Sequence, residues 1–252
     1  MIELQGRTAV ITGAGRGLGA ALALSLAQAG CNLVLCGRNP AALETLADRI
    51  ASTTGRRPAS VAVDLADSES VRRAVDAITR SHNHVDLLVN NGAMWLEARD
   101  TPHSAEEVLT VINSAVTGTF LFTQGLLPLL RRSAHPDIVT IGSVSGLPNA
   151  PLQTVSVPFY AAKRAQAALA DGLRQMLAGT PLRSIVVHPP YLDDVQPGEP
   201  EWAEAAERAK GTRGTNRDVV DAVLFAVTRP RHITLSIVLD ADDGGVFPAQ
   251  GG

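Results

Sequence analysis

Tyr160 and Lys163 place a phenol and an ammonium three residues apart in the stretch Phe159-Tyr160-Ala161-Ala162-Lys163, at the start of an alanine-rich run that reads as a long helix. Residues i and i+3 share a helix face. A positive charge beside a phenol favours the phenolate and draws its pKa down from roughly 10. A tyrosine so placed can serve as general acid or base near neutral pH. Taken alone, such a pair is more often a buried tyrosine with a lysine stem lying over apolar surface. The segments that surround it decide between the two.

Those segments alternate between strand and helix patterns. Arg7 to Thr12 is a short β-rich run, followed at once by Gly13-Ala14-Gly15-Arg16-Gly17-Leu18-Gly19 and an Ala/Leu helix to about Ala29. Strand, glycine turn and helix is the context in which glycines let a backbone approach a pyrophosphate, with the helix N-terminus supplying free N–H groups. The spacing is G-x-x-x-G-x-G through Gly13, Gly17 and Gly19, with Leu18 where a G-x-G-x-x-G motif would need its third glycine. A second strand, Asn32 to Cys36, ends in Gly37-Arg38-Asn39. An acid at this point would hydrogen-bond the 2′-hydroxyl of NAD, whereas an arginine accommodates a 2′-phosphate. Arg38, with Arg16 closing on the same phosphate, predicts NADP(H); an exposed loop charge is the plainer alternative for Arg38.

The alternation continues through helices at about Pro40–Thr54 and Ser68–Ser81. Strands at Ala59–Val63 and Asp86–Val89 end in Asp64-Leu65 and in Asn90-Asn91-Gly92-Ala93. It predicts an α/β fold, a single Rossmann-like doubly wound parallel sheet of about seven strands spanning residues 1–252. Ligands in such sheets bind beyond the carboxyl ends of the strands. Asp64 and Asn91 stand at such ends, Asp64 either to accept from an adenine amine or to cap the next turn. The helical pattern from Ser104 to Arg131 is interrupted by Asn113, which is unfavourable on an apolar face unless its side chain or the local backbone has a use. The strand Asp137–Ile141 leads to Ser143, and the proline-punctuated loop to Pro158 must fold back to bring Tyr160 beside it. The strand Ser184–Val187 leads to His188-Pro189-Pro190-Tyr191. Residues 190–214 read as a lid with a short helix near Trp202–Lys210, followed by a helix at Asn216–Thr228 and a last strand at Thr234–Leu239.

Bulk properties exclude several functions. The chain has 252 residues and a net charge of −3, and aromatics make up 4%. Neither a nucleic-acid surface nor a membrane partner follows from that balance. Cys31 and Cys36 point to opposite faces of an extended segment, which disfavours a mutual disulfide and suits a reduced compartment. The N-terminal residues show no signal-peptide pattern, so the expectation is a cytoplasmic protein. The six histidines have no metal-ligand spacing. The Asp240–Gly245 stretch reads as a solvated acidic tail rather than a calcium loop.

Together these residues resemble the short-chain dehydrogenases/reductases in their compact single-domain form, over nearly the whole chain. Thr12 to Gly19 is similar to that family's TGxxxGxG cofactor turn, and Asp64 to its adenine-contacting Asp. Asn113, Ser143, Tyr160 and Lys163 match its Asn-Ser-Tyr-Lys tetrad in chain order and approximate spacing. The resemblance implies an NADP(H) site of Gly13, Arg16, Gly17, Leu18, Gly19, Arg38, Asp64, Leu65, Asn91, Gly92, Tyr160, Lys163 and Pro189. It implies that Tyr160 protonates a substrate oxygen, Ser143 hydrogen-bonds it, Lys163 tunes Tyr160 and holds the nicotinamide ribose, and Asn113 positions a water. Three departures stand out: Gly92-Ala93 where the family has Ala-Gly, Pro189-Pro190 where it has Pro-Gly, and Asp193-Asp194-Val195 where a threonine is common. Met94, Trp95, Leu147, Phe159, Tyr191 and Trp202 fall in segments that ring the expected mouth, which points to a hydrophobic carbonyl or alcohol as substrate. A homotetramer or homodimer built on the long helices is the expected assembly. A non-redox enzyme on the same scaffold and an NADPH-binding sensor are the alternatives.

Overall fold

The computed structural model describes residues 3–152 and 155–241. Residues 242–245 of the expected acidic tail lie outside that range. β1 (Thr8–Thr12), α1 (Gly17–Gln28), β2 (Asn32–Gly37), α2 (Pro40–Thr54), β3 (Ala59–Ala62), α3 (Ser68–Ser81) and β4 (Leu87–Asn90) form the first half. The second half contains α4 (Ala105–Ile112), α5 (Thr119–Leu130), β5 (Asp137–Ile141), α6 (Val157–Met176) and β6 (Arg183–His188). The lid carries β7 (Leu192–Asp193), α7 (Pro200–Glu204) and β8 (Gly214–Thr215), and α8 (Asn216–Val227) leads to β9 (Ser236–Val238). A parallel seven-stranded sheet runs in the order β3-β2-β1-β4-β5-β6-β9. The order reverses between β1 and β4, which opens a crevice at their carboxyl ends.

The strand alternation assigns each face its helices. Ala9, Ile11, Leu33 and Leu35 join a core cluster with α1, α2 and α8, while Val10, Val34 and Cys36 face the opposite way onto α3 and α5. Cys31 and Cys36 fall in different clusters, both free, as their spacing predicts. Burial pushes their thiols up to about 11 and about 12, so neither is a nucleophile at neutral pH.

Several helix starts follow ordinary capping chemistry, and one that does not borders the cavity. Asn39 caps α2 ahead of Pro40, and Ser104 with Glu107 forms a capping box on α4. By contrast Arg16 stands at the N-cap of α1 with no side-chain bond, and the first turn holds no acid. Its N–H groups are left for an anion. The helical run expected from Ser104 to Arg131 is broken by a π-helical turn, Asn113–Gly118. A Cβ on Gly118 would stand 1.8 Å from the Leu65 carbonyl oxygen, so this turn presses backbone to backbone against the segment that follows β3. The lid helix is shorter than the Trp202–Lys210 pattern suggests, because α7 ends at Glu204 and continues as a single tight turn, Ala205–Glu207. β7 and β8 pair as a small parallel ladder that tethers both ends of the lid. No helix among the described residues is long and apolar enough to cross a membrane.

The amino ends of the strands are closed by charge. Asp137 is fully buried and pairs with Arg183 (2.8 and 3.0 Å), Arg231 (3.0 Å) and Arg7 (3.2 Å). Arg183 and Arg231 also donate to carbonyls around them, including Arg229, Pro136 and Pro181. Removing the carboxylate leaves three guanidinium groups facing one another. Asp137→Ala is therefore expected to destabilise the fold by about 3–5 kcal/mol in urea unfolding, and a loss below about 1 kcal/mol would show that the cluster is not structural.

Candidate active site

Beyond the carboxyl ends of β1 and β4 lies a cavity of about 660 Å³. Its walls include Gly13, Arg16, Gly17, Leu18, Gly19, Arg38, Asp64, Leu65, Asn91 and Gly92, ten of the thirteen residues predicted to hold a dinucleotide. Tyr160, Lys163 and Pro189 lie outside that wall. Met94, Ser114 and Asp194 complete part of it and were not among the predicted cofactor residues.

The glycines are required by space as well as by dihedral angle. Gly13 and Gly17 have φ of +65° and +55°, in the left-handed region. A Cβ on Gly19 would stand 2.1 Å from the Gly13 carbonyl oxygen, and one on Gly92 would stand 2.7 Å from Leu65 Cδ1. Thr12 and Asn91 bolt the two turns together. The Thr12 Oγ1 accepts from the N–H groups of Asn91 (3.1 Å) and Gly92 (2.9 Å). The Asn91 amide donates to the carbonyls of Thr12 (3.1 Å) and Gly13 (3.3 Å). The visible work of Asn91 is thus to hold the turn, and Thr12 is a site-building residue that spacing alone did not single out. Asp64 Oδ1 accepts from the Ala66 N–H at 2.9 Å, the turn-capping role, and the residue also lines the cavity.

The site deepens toward α6. Ser143 follows β5, and its Oγ accepts from the Ser145 N–H at 3.1 Å. His188 Nδ1 pairs with the Ser143 carbonyl at 3.0 Å, and the Val144 N–H donates to Pro189 O at 2.9 Å. The Pro189-Pro190 turn thus still supplies a carbonyl that anchors the Ser143 loop. Burial lowers the His188 pKa against the raising effect of that Ser143 bond. Asn113 opens the π-helical turn and is half-buried.

Lys163 is buried, and its Nζ donates to Ile141 O (3.2 Å) and to Gln166 Oε1 (2.9 Å). Burial pushes its pKa down to about 8. The ring beside this ammonium is that of Phe159, with its centroid 5.9 Å from Nζ. The Tyr160 hydroxyl donates instead to Ala150 O at 2.9 Å. Helix phase explains the difference. Residues i and i+4 differ by about 40° around an α-helix, whereas i and i+3 differ by about 60° in the other sense. The structure brings Phe159 to the lysine and turns Tyr160 toward the loop after β5. Gln166 had no sequence signal beyond its spacing from Lys163.

Of the residues expected at the mouth, Trp95 meets Phe159 edge-on at 4.8 Å and Tyr191 at 6.0 Å. Trp95 and Tyr191 are largely exposed, and Arg213 lies 4.8 Å over the Tyr191 ring. Leu147 is half-buried. Trp202 does not join them, because it packs against the α1 and α8 core cluster. Among the described residues no cluster suits a metal ion.

A family model described as short chain dehydrogenase matches residues 7–202. The chain is a member of the short-chain dehydrogenase family. A Staphylococcus saprophyticus protein described as an uncharacterized oxidoreductase is 28% identical over 94% of this chain and 98% of its own. Among solved structures, a short-chain dehydrogenase from Burkholderia cenocepacia in complex with NADP aligns with a TM-score of 0.79 at 26% identity. That alignment covers 96% of this chain and 99% of the other. L-sorbose reductase from Gluconobacter frateurii, complexed with NADPH and L-sorbose, aligns with a TM-score of 0.81 at 22% identity over 95% and 98% of the two chains, and shares the fold. In this short-chain dehydrogenase the buried ammonium is a measurable expense. Between pH of about 8 and the ordinary lysine value of 10.5, the unfolded chain binds more protons than the folded one, so stability rises with pH across that window. Lys163→Met is expected to be more stable than the parent at pH 7 by about 1–3 kcal/mol, with the gap closing as pH rises through the window. Denaturant unfolding of both proteins across that range checks it; a pH-independent difference would show that the charge is not what burial opposes.

Proposed function

We propose that the chain binds NADP(H) and uses it to interconvert a carbonyl group and an alcohol on a hydrophobic small molecule. The observation that carries the cofactor reading is that Arg16 and Arg38 line the same cavity as the glycine turn, with Gly37-Arg38-Asn39 and no acid at the end of β2. The cradle fits: Gly13, Gly19 and Gly92 leave no room for side chains, and the uncapped N-terminus of α1 suits a diphosphate. Arg16 and Arg38 would hold the 2′-phosphate, and Asp64 and Leu65 would border the adenine. When bound, the nicotinamide supplies or accepts a hydride. The NADP complex of the Burkholderia relative supports the same choice.

The protein's own part is to bind the carbonyl oxygen and provide its proton. Ser143 would donate a hydrogen bond to that oxygen, stabilising the charge that develops there. The Lys163 ammonium would orient the ribose. For Tyr160 to be the acid, its hydroxyl must leave the Ala150 carbonyl and turn toward Ser143. The aromatic wall of Trp95, Phe159 and Tyr191 supports an apolar substrate. Exposed Leu109, Phe120 and Val157 on the long helices support a homo-oligomer built there.

One observation favours a second reading. With Phe159 rather than a phenol beside Lys163, the site resembles a dinucleotide-binding pocket without a proton donor on α6, as a non-redox enzyme or a sensor would have. NADPH absorbance with a panel of ketones, and NADP+ with alcohols, separates the two. On the first reading Tyr160→Phe lowers kcat at least about 100-fold and leaves NADPH affinity within about twofold. On the second the parent binds NADPH without turnover, Tyr160→Phe changes nothing, and Phe159→Tyr gains measurable reduction. For the cofactor, Arg38→Ala is expected to weaken NADPH binding at least about tenfold while leaving NADH binding nearly unchanged, measured by fluorescence titration. Equal loss for both would remove the 2′-phosphate assignment.

A further inference from the structure

The lid contributes a carboxylate to the cavity in which a dianionic diphosphate would sit. Asp194 follows β7 and lines the cavity beside the glycine turn. Its Oδ1 accepts from Gln196 Nε2 at 2.5 Å and from Asn216 Nδ2 at 2.6 Å. Those two amides fix the carboxylate and leave Oδ2 turned toward α1, 3.8 Å from the point a Cβ on Gly17 would occupy. The same Gln196 amide donates to the Gly17 carbonyl at 3.1 Å, so the acid is tied to the turn it faces. Farther along, Arg49 of α2 donates to Pro197 O at 2.5 Å. The lid segment 194–197 is therefore strapped to α1, α2 and α8.

This arrangement opposes what the rest of the cavity does. The uncapped start of α1 and the two arginines draw an anion in. A fixed carboxylate at Gly17 repels it. We propose that Asp194 is a charge gate on the cofactor site, weakening the hold on the dinucleotide diphosphate and so favouring its release. The inference rests on the NADP(H) reading above. Asp194 is exposed, so removing the like charge is expected to tighten binding about fivefold, the fold-change one unit charge carries at about 4 Å in bulk water.

The test compares the parent with Asp194→Asn and Asp194→Glu by NADPH fluorescence titration and stopped-flow dissociation, at low salt and at 0.5 M NaCl. The asparagine retains an oxygen to accept from Gln196 and Asn216, so the strap persists. The expected result is a lower Kd for Asp194→Asn, carried by slower dissociation. Asp194→Glu should stay near the parent, and the gap should shrink at high salt as screening removes the charge effect. Equal affinities, weaker binding by Asp194→Asn, or a gap indifferent to salt would each overturn the gate while leaving the cofactor reading intact. If neither parent nor variants bind NADPH, the cofactor reading fails and the gate with it.

Discussion

The site depends on two backbone turns touching with no side chain between them. A Cβ on Gly13 would stand 2.9 Å from the Gly92 Cα, so the two turns at the floor of the cavity meet backbone to backbone. It sets how closely the ends of β1 and β4 approach, and through Gly19 it sets where α1 begins. Thr12 and Asn91 are the bolts, one hydroxyl and one amide satisfying the groups that such a close approach would otherwise strand. The constraint also gives the Gly92-Ala93 order its physical reason. Leu65 Cδ1 leans over position 92, so a Cβ there would need that side-chain tip to shift, whereas position 93 is exposed and takes one freely.

A second constraint fixes α6. Ser156 caps its start, accepting from the Phe159 N–H at 3.3 Å. The Lys163 backbone lies so near Gly146 that a Cβ there would be 2.7 Å from its carbonyl oxygen. The ammonium is bonded to the end of β5. A helix pinned at three places cannot rotate about its axis, so the residue that meets the lysine is decided by phase alone. Whatever adjusts Tyr160 must be its own side chain and the loop that supplies Ala150.

This is why the fold was more legible in sequence than the chemistry. Strand and helix alternation, the glycine turn and the opposed cysteines are local patterns with fixed periods, and the sheet order follows from them by connection rules. The wall of the cavity beyond β1 and β4 was legible for the same reason, since strand ends are local. The relation of Tyr160 to Lys163 was not, because i+3 and i+4 both count as one face until a partner fixes the phase. Nor was the seat of Trp202, which depends on how the lid folds back, or the bond of Gln166, which depends on where a buried lysine stops. The break at Asn113 was visible, but its form as a π-helical turn pressed against Leu65 is a tertiary fact.

The two ends of the sheet treat buried charge in opposite ways, and the contrast separates structure from function. At the amino ends, three arginines surround Asp137, and carbonyls take up further donors of Arg183 and Arg231, while Nε and Nη1 of Arg7 stay buried without a partner. Such a cluster holds strands together. At the carboxyl ends, Lys163 is buried against a carbonyl, an amide and an aromatic ring, with burial the sole cause of its lowered pKa. Asp194 is exposed, and two amides hold it beside a helix start that suits an anion. A group buried at a cost, as Lys163 is, is one that a bound molecule can compensate. On the reading proposed above, a dinucleotide would relieve the lysine and meet the carboxylate of Asp194, so tight binding and ready release would be set by different residues.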